Sequence, residues 1–405
     1  MAELVNTLMN IRRWSGSRAR EGSLRLTIAL TVILAAFTVY LYHYRFQSLG
    51  PSIEEKVFTL GISVRYVNGG TYVWNLTDED STIGLFMNTT RQEVYLTNHS
   101  FSDKIFKRDS DGNHVAIVNF PRKWLQPGAS MEYQVNFKII TRPLSIPDVD
   151  ERYSRSLDEI PHTLKERFLG ADGPWQAEDP ALIELAREIA GNETNVLSII
   201  KSMIIWIRSN ISYQSWELPK YPNETLRDRF GDCDDQANLL ITLCRIVGIP
   251  AHLQIGCIYL PNQANETNSY WDDHLVYRLM KIGWHGWAIA YIPPWGWLPI
   301  DLTYAEGVSQ DPLNAIRRSA LALQRTIQYM NITETDYVAS SVDLRSFLVR
   351  YDFYIYESDE MVEETAPRMP KRESVSNPQT LVAKTISVRN PSPIPEAFNH
   401  VKAYK

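Results

Sequence analysis

The chain has 405 residues, 44% hydrophobic and 22% charged, a globular composition that excludes a wholly disordered or fibrous protein. That length exceeds one ordinary core and calls for two domains with accessory segments. A net charge of −6, spread along the chain, argues against nucleic acid as a partner, and three cysteines without C-x-x-C spacing argue against a disulfide framework or a structural zinc site.

Residues 1–25 carry Arg12, Arg13, Arg18, Arg20 and Arg25 and are expected to lie in the cytoplasm. They precede the uncharged run LTIALTVILAAFTVYLY, from Leu26 to Tyr42, with no charge before Arg45. Counted over 26–44, the run is near the lower limit of roughly 17–25 residues for a spanning helix. Tyr40, Tyr42 and Tyr44 stand where aromatic rings favour the membrane interface. The arginine excess before the run orients it, with the chain after about residue 46 outside. A cleaved signal peptide competes, but the run is long for one and no A-x-A site follows. A single-pass signal anchor is the expectation. Eight N-x-[ST] sequons, at Asn75, Asn88, Asn98, Asn192, Asn210, Asn223, Asn265 and Asn331, all lie beyond it. Composition alone would give about three, so the excess agrees with an extracellular glycoprotein.

Residues 55–147 read as strands. Met131, Tyr133, Val135, Phe137 and Ile139 alternate with polar neighbours, the period-two pattern of a half-buried strand. Asp111-Gly112-Asn113 divides Lys104–Phe120 into a hairpin. Asp109, Asp111 and Asn113 loosely imitate a calcium loop, but the turn is the better reading, because no glutamate and no flanking helices follow. Pro127-Gly128 marks another turn. The expectation is a β-sandwich domain used for spacing or binding.

Residues 170–305 switch to helices. Asp179, Pro180 and Gly191 bracket ALIELAREIA as cap, first-turn proline and C-terminal glycine. Thr194 opens a second helix with Val196, Ile200, Met203, Ile204 and Ile207 on one face. In FGDCDDQANLLITLCRIVGIP, a helix is predicted over Asp234–Val247, with Cys233 at its N-terminus. There the helix dipole and unpaired N–H groups would ease loss of the thiol proton and hold an oxyanion. Cys244 reads as core, and Cys257 either pairs with it or is buried. WHGWAIAYIPPWGWLPIDLT reads as two strands about a turn at Pro293–Gly296, which brings His285 opposite the neighbourhood of Asp301. A carboxylate there would hold the imidazole in one tautomer. His274 competes with His285 as the base, and a zinc set of Cys233, His274 and His285 is a third-ranked alternative. Trp216, Trp284, Trp287, Trp295 and Trp297 either line a substrate groove or pack across strands. Gln214 or Trp216 would be an additional oxyanion donor.

GDCDDQA, HGW and the hairpin ending in IDLT resemble the three motifs of the transglutaminase-like superfamily, a papain-type α+β fold. The resemblance is strong over about 170–305 and is greatest to membrane-anchored prokaryotic and archaeal members, in which a β-rich outer segment precedes the thiol domain. It implies a Cys-bearing helix packed on an antiparallel sheet, with Cys233 as nucleophile, His285 as general base and acid, and Asp301 orienting His285. The separations of 52 and 16 residues suit the family. Gly286 stands where many members have alanine, and Leu302 where many have proline. No cofactor or metal is implied. The expected reaction is acyl transfer through a thioester on a peptide or protein substrate at the cell surface, with hydrolysis by a cysteine protease or amidase favoured. The alternatives are a cross-linking transglutaminase and a non-catalytic envelope-binding module.

Within 306–357 a helix is predicted from Asp311 to about Met330, then a strand over SFLVRYDFYIYE. Whether these complete the thiol domain is left open by the sequence. Residues 358–405 read as a polar tail, partly disordered.

Overall fold

The strands near the N-terminus are β1 (Lys56–Asn68), β2 (Trp74–Asn75), β3 (Thr82–Gly84), β4 (Gln92–His99), β5 (Lys104–Arg108), β6 (His114–Val118), β7 (Trp124–Leu125) and β8 (Ser130–Thr141). The computed structural model describes residues 55–101 and 104–364; the expected anchor at 26–44 and the segments 1–25 and 365–405 lie outside the described residues. Among the described residues no helix is long and apolar enough to cross a membrane. The alternation in β8 is observed, with Tyr133, Val135, Phe137 and Ile139 all buried. The β5–β6 hairpin turns at Gly112, whose φ is 82°, and Asp109 Oδ1 accepts from the Asn113 N–H at 2.7 Å.

Next come α1 (His162–Phe168), α2 (Pro180–Ala190) and α3 (Val196–Asn210). The predicted cap is in place: Asp179 accepts from the N–H groups of Ala181 and Leu182, Pro180 opens α2, and Gly191 ends it. α3 is capped by Asn195 rather than Thr194. After β9 (Ser212–Tyr213), α4 (Pro222–Asp228) and β10 (Phe230–Gly231) comes α5 (Cys233–Ile246), ended near Gly248 at φ 91°. β11 (Ala251–Tyr259), β12 (Glu266–Tyr270), β13 (Leu275–Met280), β14 (Ile282–Ile292) and β15 (Gly296–Ile300) follow, then the short α6 (Asn314–Arg317), β16 (Thr326–Ile332), α7 (Tyr337–Tyr351) and β17 (Phe353–Glu364).

The expected separate sandwich over 55–147 is not what forms. A six-stranded sheet runs in the order β12-β13-β17-β1-β8-β4, so strands from both ends of the described chain share one ladder. The physical reason lies in β1, which is 13 residues long and pairs along nearly its whole length with β8 on one edge and β17 on the other. A long apolar strand needs both edges satisfied. Residues 358–364 therefore belong to β17 rather than to a polar tail. The helix predicted over 311–330 is also corrected. Only Asn314–Arg317 is α-helical, with a 3-10 turn at Ala320–Ala322, Arg317 being tied to Asp148 and Asp311, and the run TIQYMNI becomes β16. SFLVRY ends α7, and only the part from Phe353 is strand.

The second sheet, β15-β14-β11-β16, is antiparallel throughout and positions the site. α5 packs on β11 and β14 with one side and on α2, α3 and α4 with the others. Leu239, Leu240, Ile241 and Leu243 are fully buried by it. The sheet's two faces differ. Leu253 and Gly286 face α5, whereas the cross-strand pairs Gly256–His285, Gln254–Trp287 and His252–Ile289 face away. Gly256 is required by close approach: a Cβ there would stand 2.3 Å from the Ile327 carbonyl oxygen and 2.6 Å from the Trp287 ring. Gly256→Ala is expected to destabilise the fold by about 1–3 kcal/mol through overpacking. An unchanged urea midpoint would contradict this.

Candidate active site

The turn before α5 is fixed from several directions. Asp235 Oδ2 accepts from the Asp232 N–H at 3.2 Å and its Oδ1 from the Lys220 N–H at 2.7 Å. Asp234 Oδ2 accepts from the Tyr337 hydroxyl at 2.7 Å, and that hydroxyl oxygen in turn accepts from Asn238 Nδ2 at 2.6 Å. Tyr337, on α7, is a residue the sequence reading missed. Its polar partners lie about a hundred positions away, with no local signal to connect them.

Cys233 is the first residue of α5 and is half-buried. Gly286, next to His285, approaches the same helical turn so closely that a Cβ on it would be 3.2 Å from Asp234 Cβ. The Gly286 N–H donates to the Cys233 thiol. Strand β14 thus sets Gly286, the residue after His285, against the turn that carries the thiol. His285 Nε2 lies 3.1 Å from Asp301 Oδ2, and both side chains are buried. The hairpin predicted from spacing is observed, with Ala288 opposite Ile300 and Asp301 just beyond the last pair.

Asp301 is held by more than the imidazole. Its Oδ1 accepts from the N–H groups of Thr303 and Tyr304 at 3.2 and 2.9 Å, and its Oδ2 from Ala320 N–H at 2.9 Å. Burial would raise this carboxyl, but the His285 charge and hydrogen bond, with the Tyr304 and Ala320 N–H groups, hold it below the usual carboxylate range. The Trp287 and Tyr304 rings flank His285 at 5.7 and 5.5 Å.

The thiol behaves differently from the helix-end expectation. Burial, then the carboxylates of Asp232 and Asp234, push the Cys233 thiol well above the ordinary cysteine range, against the Gly286 N–H, which lowers it. Two flanking acids and desolvation outweigh the dipole of a single helix end. Cys244 and Cys257 are buried, unbonded thiols, so the bonded alternative is not observed.

The other predicted positions separate. His274 is engaged in the six-stranded sheet, its Nδ1 2.8 Å from the Phe353 carbonyl and its ring stacked on Tyr354 at 4.5 Å. Among the described residues the group able to converge on a metal is Asp232, Cys233 and Asp234; the set Cys233, His274 and His285 is not assembled. Trp287 is 1% exposed and cannot line an open groove. Trp284 packs against Phe86 and Tyr329 and donates to Asp359. Gln214 sits beside the nucleophile turn, its N–H donating to the Gly231 carbonyl at 3.2 Å, and Trp216 is exposed near Phe230. Tyr213, paired with Gly231 and within electrostatic reach of Cys233, was not singled out from sequence.

Residues 183–302 match the Transglutaminase-like superfamily. Among curated proteins none matches the chain. Solved structures resemble it as well, and three of them follow. A protein from Cytophaga hutchinsonii named as a candidate cysteine protease has 17% identity and a TM-score of 0.47, with 79% of this chain and 95% of that chain covered. The periplasmic domain of TgpA from Pseudomonas aeruginosa has 16% identity and a TM-score of 0.30, covering 65% and 91%. Red sea bream transglutaminase has 11% identity and a TM-score of 0.25, covering 62% and 46%.

Proposed function

We propose, from the transglutaminase-like domain that residues 183–302 form, that the chain is a thiol acyl-transfer enzyme using Cys233, His285 and Asp301. The observation that carries the reading is the buried 3.1 Å bond between His285 and Asp301, on a strand whose next residue touches the thiol's helical turn. With Nε2 engaged by Asp301, Nδ1 is the nitrogen left to take the thiol proton. A thiol raised in pKa rests protonated, so proton removal accompanies attack. The sulfur adds to an amide carbonyl, and the oxyanion is held at the N-terminus of α5. His285 then protonates the leaving amine, the C–N bond breaks and a thioester remains. Water resolving it makes the enzyme a protease or amidase, the reading we favour; a lysine amine would make it a cross-linking enzyme.

The location outside a membrane belongs to the same proposal. It is supported by the apolar run at 26–44 with its preceding arginines, and by exposure of the sequon residues Asn75, Asn88, Asn98, Asn192, Asn210 and Asn265. Asn223 and Asn331 are half-buried with their side-chain amides engaged, and are expected to stay unmodified.

Mass spectrometry of the chain with peptide substrates, quenched in acid, tests the chemistry. An acyl adduct on Cys233 that His285→Ala abolishes is expected. A folded protein whose Cys233 never acylates would instead favour a non-catalytic binding module. Only amine-linked product would move the reading to cross-linking.

A further inference from the structure

Resting on the acyl-transfer reading above, we propose that Trp271 latches the loop 213–218 into an aromatic rim beside Cys233. The rim gives the enzyme a preference for peptides with an aromatic side chain next to the reacting carbonyl. The loop leaves β9 and returns to the nucleophile turn. At its start the Gln214 N–H donates to the Gly231 carbonyl at 3.2 Å, and just past its end the Lys220 N–H donates to Asp235 Oδ1 at 2.7 Å. Gly231 and Asp235 each stand two residues from Cys233, so the loop is fastened on both sides of the thiol's turn. Between these fastenings residues 213–217 are exposed.

The middle of the loop is held from a different part of the molecule. Trp271 is buried, and its Nε1–H donates to the Glu217 carbonyl at 3.1 Å, across 54 positions of sequence. It opens the turn between β12 and β13, in which Trp271, Asp272 and Asp273 have φ of 57°, 55° and 69°. Left-handed backbone is uncommon outside glycine and is least tolerated by a bulky residue such as tryptophan. Three such residues in succession persist only where the surroundings over-determine them, and strained turns of this kind cluster at functional sites. The surroundings do so here: the His274 N–H donates to the Trp271 carbonyl, the Ile355 N–H of β17 to the His274 carbonyl, and the Ser269 hydroxyl to Asp273 Oδ1. What the turn achieves is the placement of one indole N–H on the backbone of the rim.

The chemistry of the rim follows from what it shows to solvent. Tyr213 is 61% exposed and Trp216 is 53% exposed. Tyr213 pairs with Gly231 and lies within electrostatic reach of Cys233, and Trp216 meets Phe230 edge-on at 6.2 Å. A peptide whose carbonyl reaches the sulfur carries its adjoining side chains over this surface. The carboxylates of Asp232 and Asp234 are buried and do not reach such a side chain. Of the charged residues nearby, Glu217 and Arg229 are exposed and opposite in sign, and the Lys220 ammonium is already seated on the Phe230 ring and paired with Asp228 at 3.0 Å. The aromatic faces are what is left to match, and an aromatic side chain meets them edge-on or offset with the gain that such ring pairs give beyond area alone.

The test is labelling of the full-length chain by four peptidyl chloromethyl ketones, acetyl-Phe-Ala, acetyl-Ala-Phe, acetyl-Lys-Ala and acetyl-Ala-Ala, with the adduct on Cys233 followed by mass spectrometry. In each case the sulfur forms a C–S bond, chloride leaves, and the thiol proton passes to His285. The readout is the ratio of the rates for the phenylalanine and alanine reagents within one protein, in which any general change in the thiol cancels. At least one phenylalanine reagent should outpace acetyl-Ala-Ala by about tenfold in wild type, the scale of discrimination an apolar contact provides. That ratio should fall to within about threefold in Trp271→Phe, which keeps a ring and removes the N–H, and in Trp216→Ala, a half-exposed position that serves on its own if the buried variant does not fold. No phenylalanine preference, a lysine reagent faster than both phenylalanine reagents, or a ratio that survives Trp216→Ala or a folded Trp271→Phe would overturn the proposal and leave the acyl chemistry standing. A Cys233 that no reagent labels would overturn both.

Discussion

Asp301→Asn is expected to lower turnover about 10⁴-fold while Cys233 stays in place, the scale of loss when an imidazole is held in the wrong tautomer. Both carboxylate oxygens of Asp301 receive N–H donors, Oδ1 from Thr303 and Tyr304, Oδ2 from His285 and Ala320. An asparagine amide must place its NH₂ against one of these pairs. Facing His285, it forces Nε2 to accept and moves the ring proton to Nδ1, the atom that has to accept the thiol proton. Facing the backbone pair, it sets donors against donors in a buried site, which costs about 1–3 kcal/mol. The two effects separate experimentally: pre-steady-state acylation reads the first, and thermal melting the second. Acylation within tenfold of wild type in a folded variant would remove Asp301 from the mechanism.

A steep loss of stability in alkali is the second large effect expected. Burial pushes the Cys244 thiol up to about 12, and burial followed by Asp359 pushes Cys257 well above its usual range. In the unfolded chain both titrate near about 8.5. Above that pH the unfolded state releases from these two thiols protons that the folded state retains, and Cys233, raised by burial and its acidic neighbours, acts in the same direction in both proteins compared below. The unfolded state then binds fewer protons, so unfolding becomes more favourable as pH rises. Below about 8.5 both states are protonated and the contribution to stability is fully present. The slope approaches about 1.4 kcal/mol per pH unit for each thiol, or about 2.7 for the pair. Urea titrations at pH 8, 9 and 10 on wild type and on Cys244→Val/Cys257→Val would measure it. Equal slopes in the two proteins would show that the thiols are not responsible.

Local chemistry was what the sequence made readable. Asp179, Pro180 and Gly191 mark α2 because caps act over a few residues, and the spacing of His285 and Asp301 across one turn puts them within reach of each other. The helix carrying Cys233 was legible to within a residue. What escaped depends on segments far apart in the chain. Ala320 and Tyr304 clamp Asp301 through backbone N–H groups, which have no residue-type signature. Tyr337 reaches Asp234 from a helix outside the matched region. The thiol's electrostatics were misjudged because a helix end was weighed without its two acidic neighbours and burial. The stretch after Asp311 looked helical by periodicity, yet pairing with β11 draws TIQYMNI into a strand.

The place of β17 between β1 and β13 has a consequence for biosynthesis. Lys56 reaches Glu363 across 307 positions of sequence, so the central ladder of the larger sheet is of very high contact order. On a nascent chain β1 emerges early, and one of its edges has no partner until the strand at 353–364 has followed it. Folding is therefore slow and completes late, with an aggregation-prone edge held open meanwhile. The segment that carries Cys233, His285 and Asp301 cannot be excised at 183–302 as an autonomous unit, because β11 would lose β16 and β13 would lose β17.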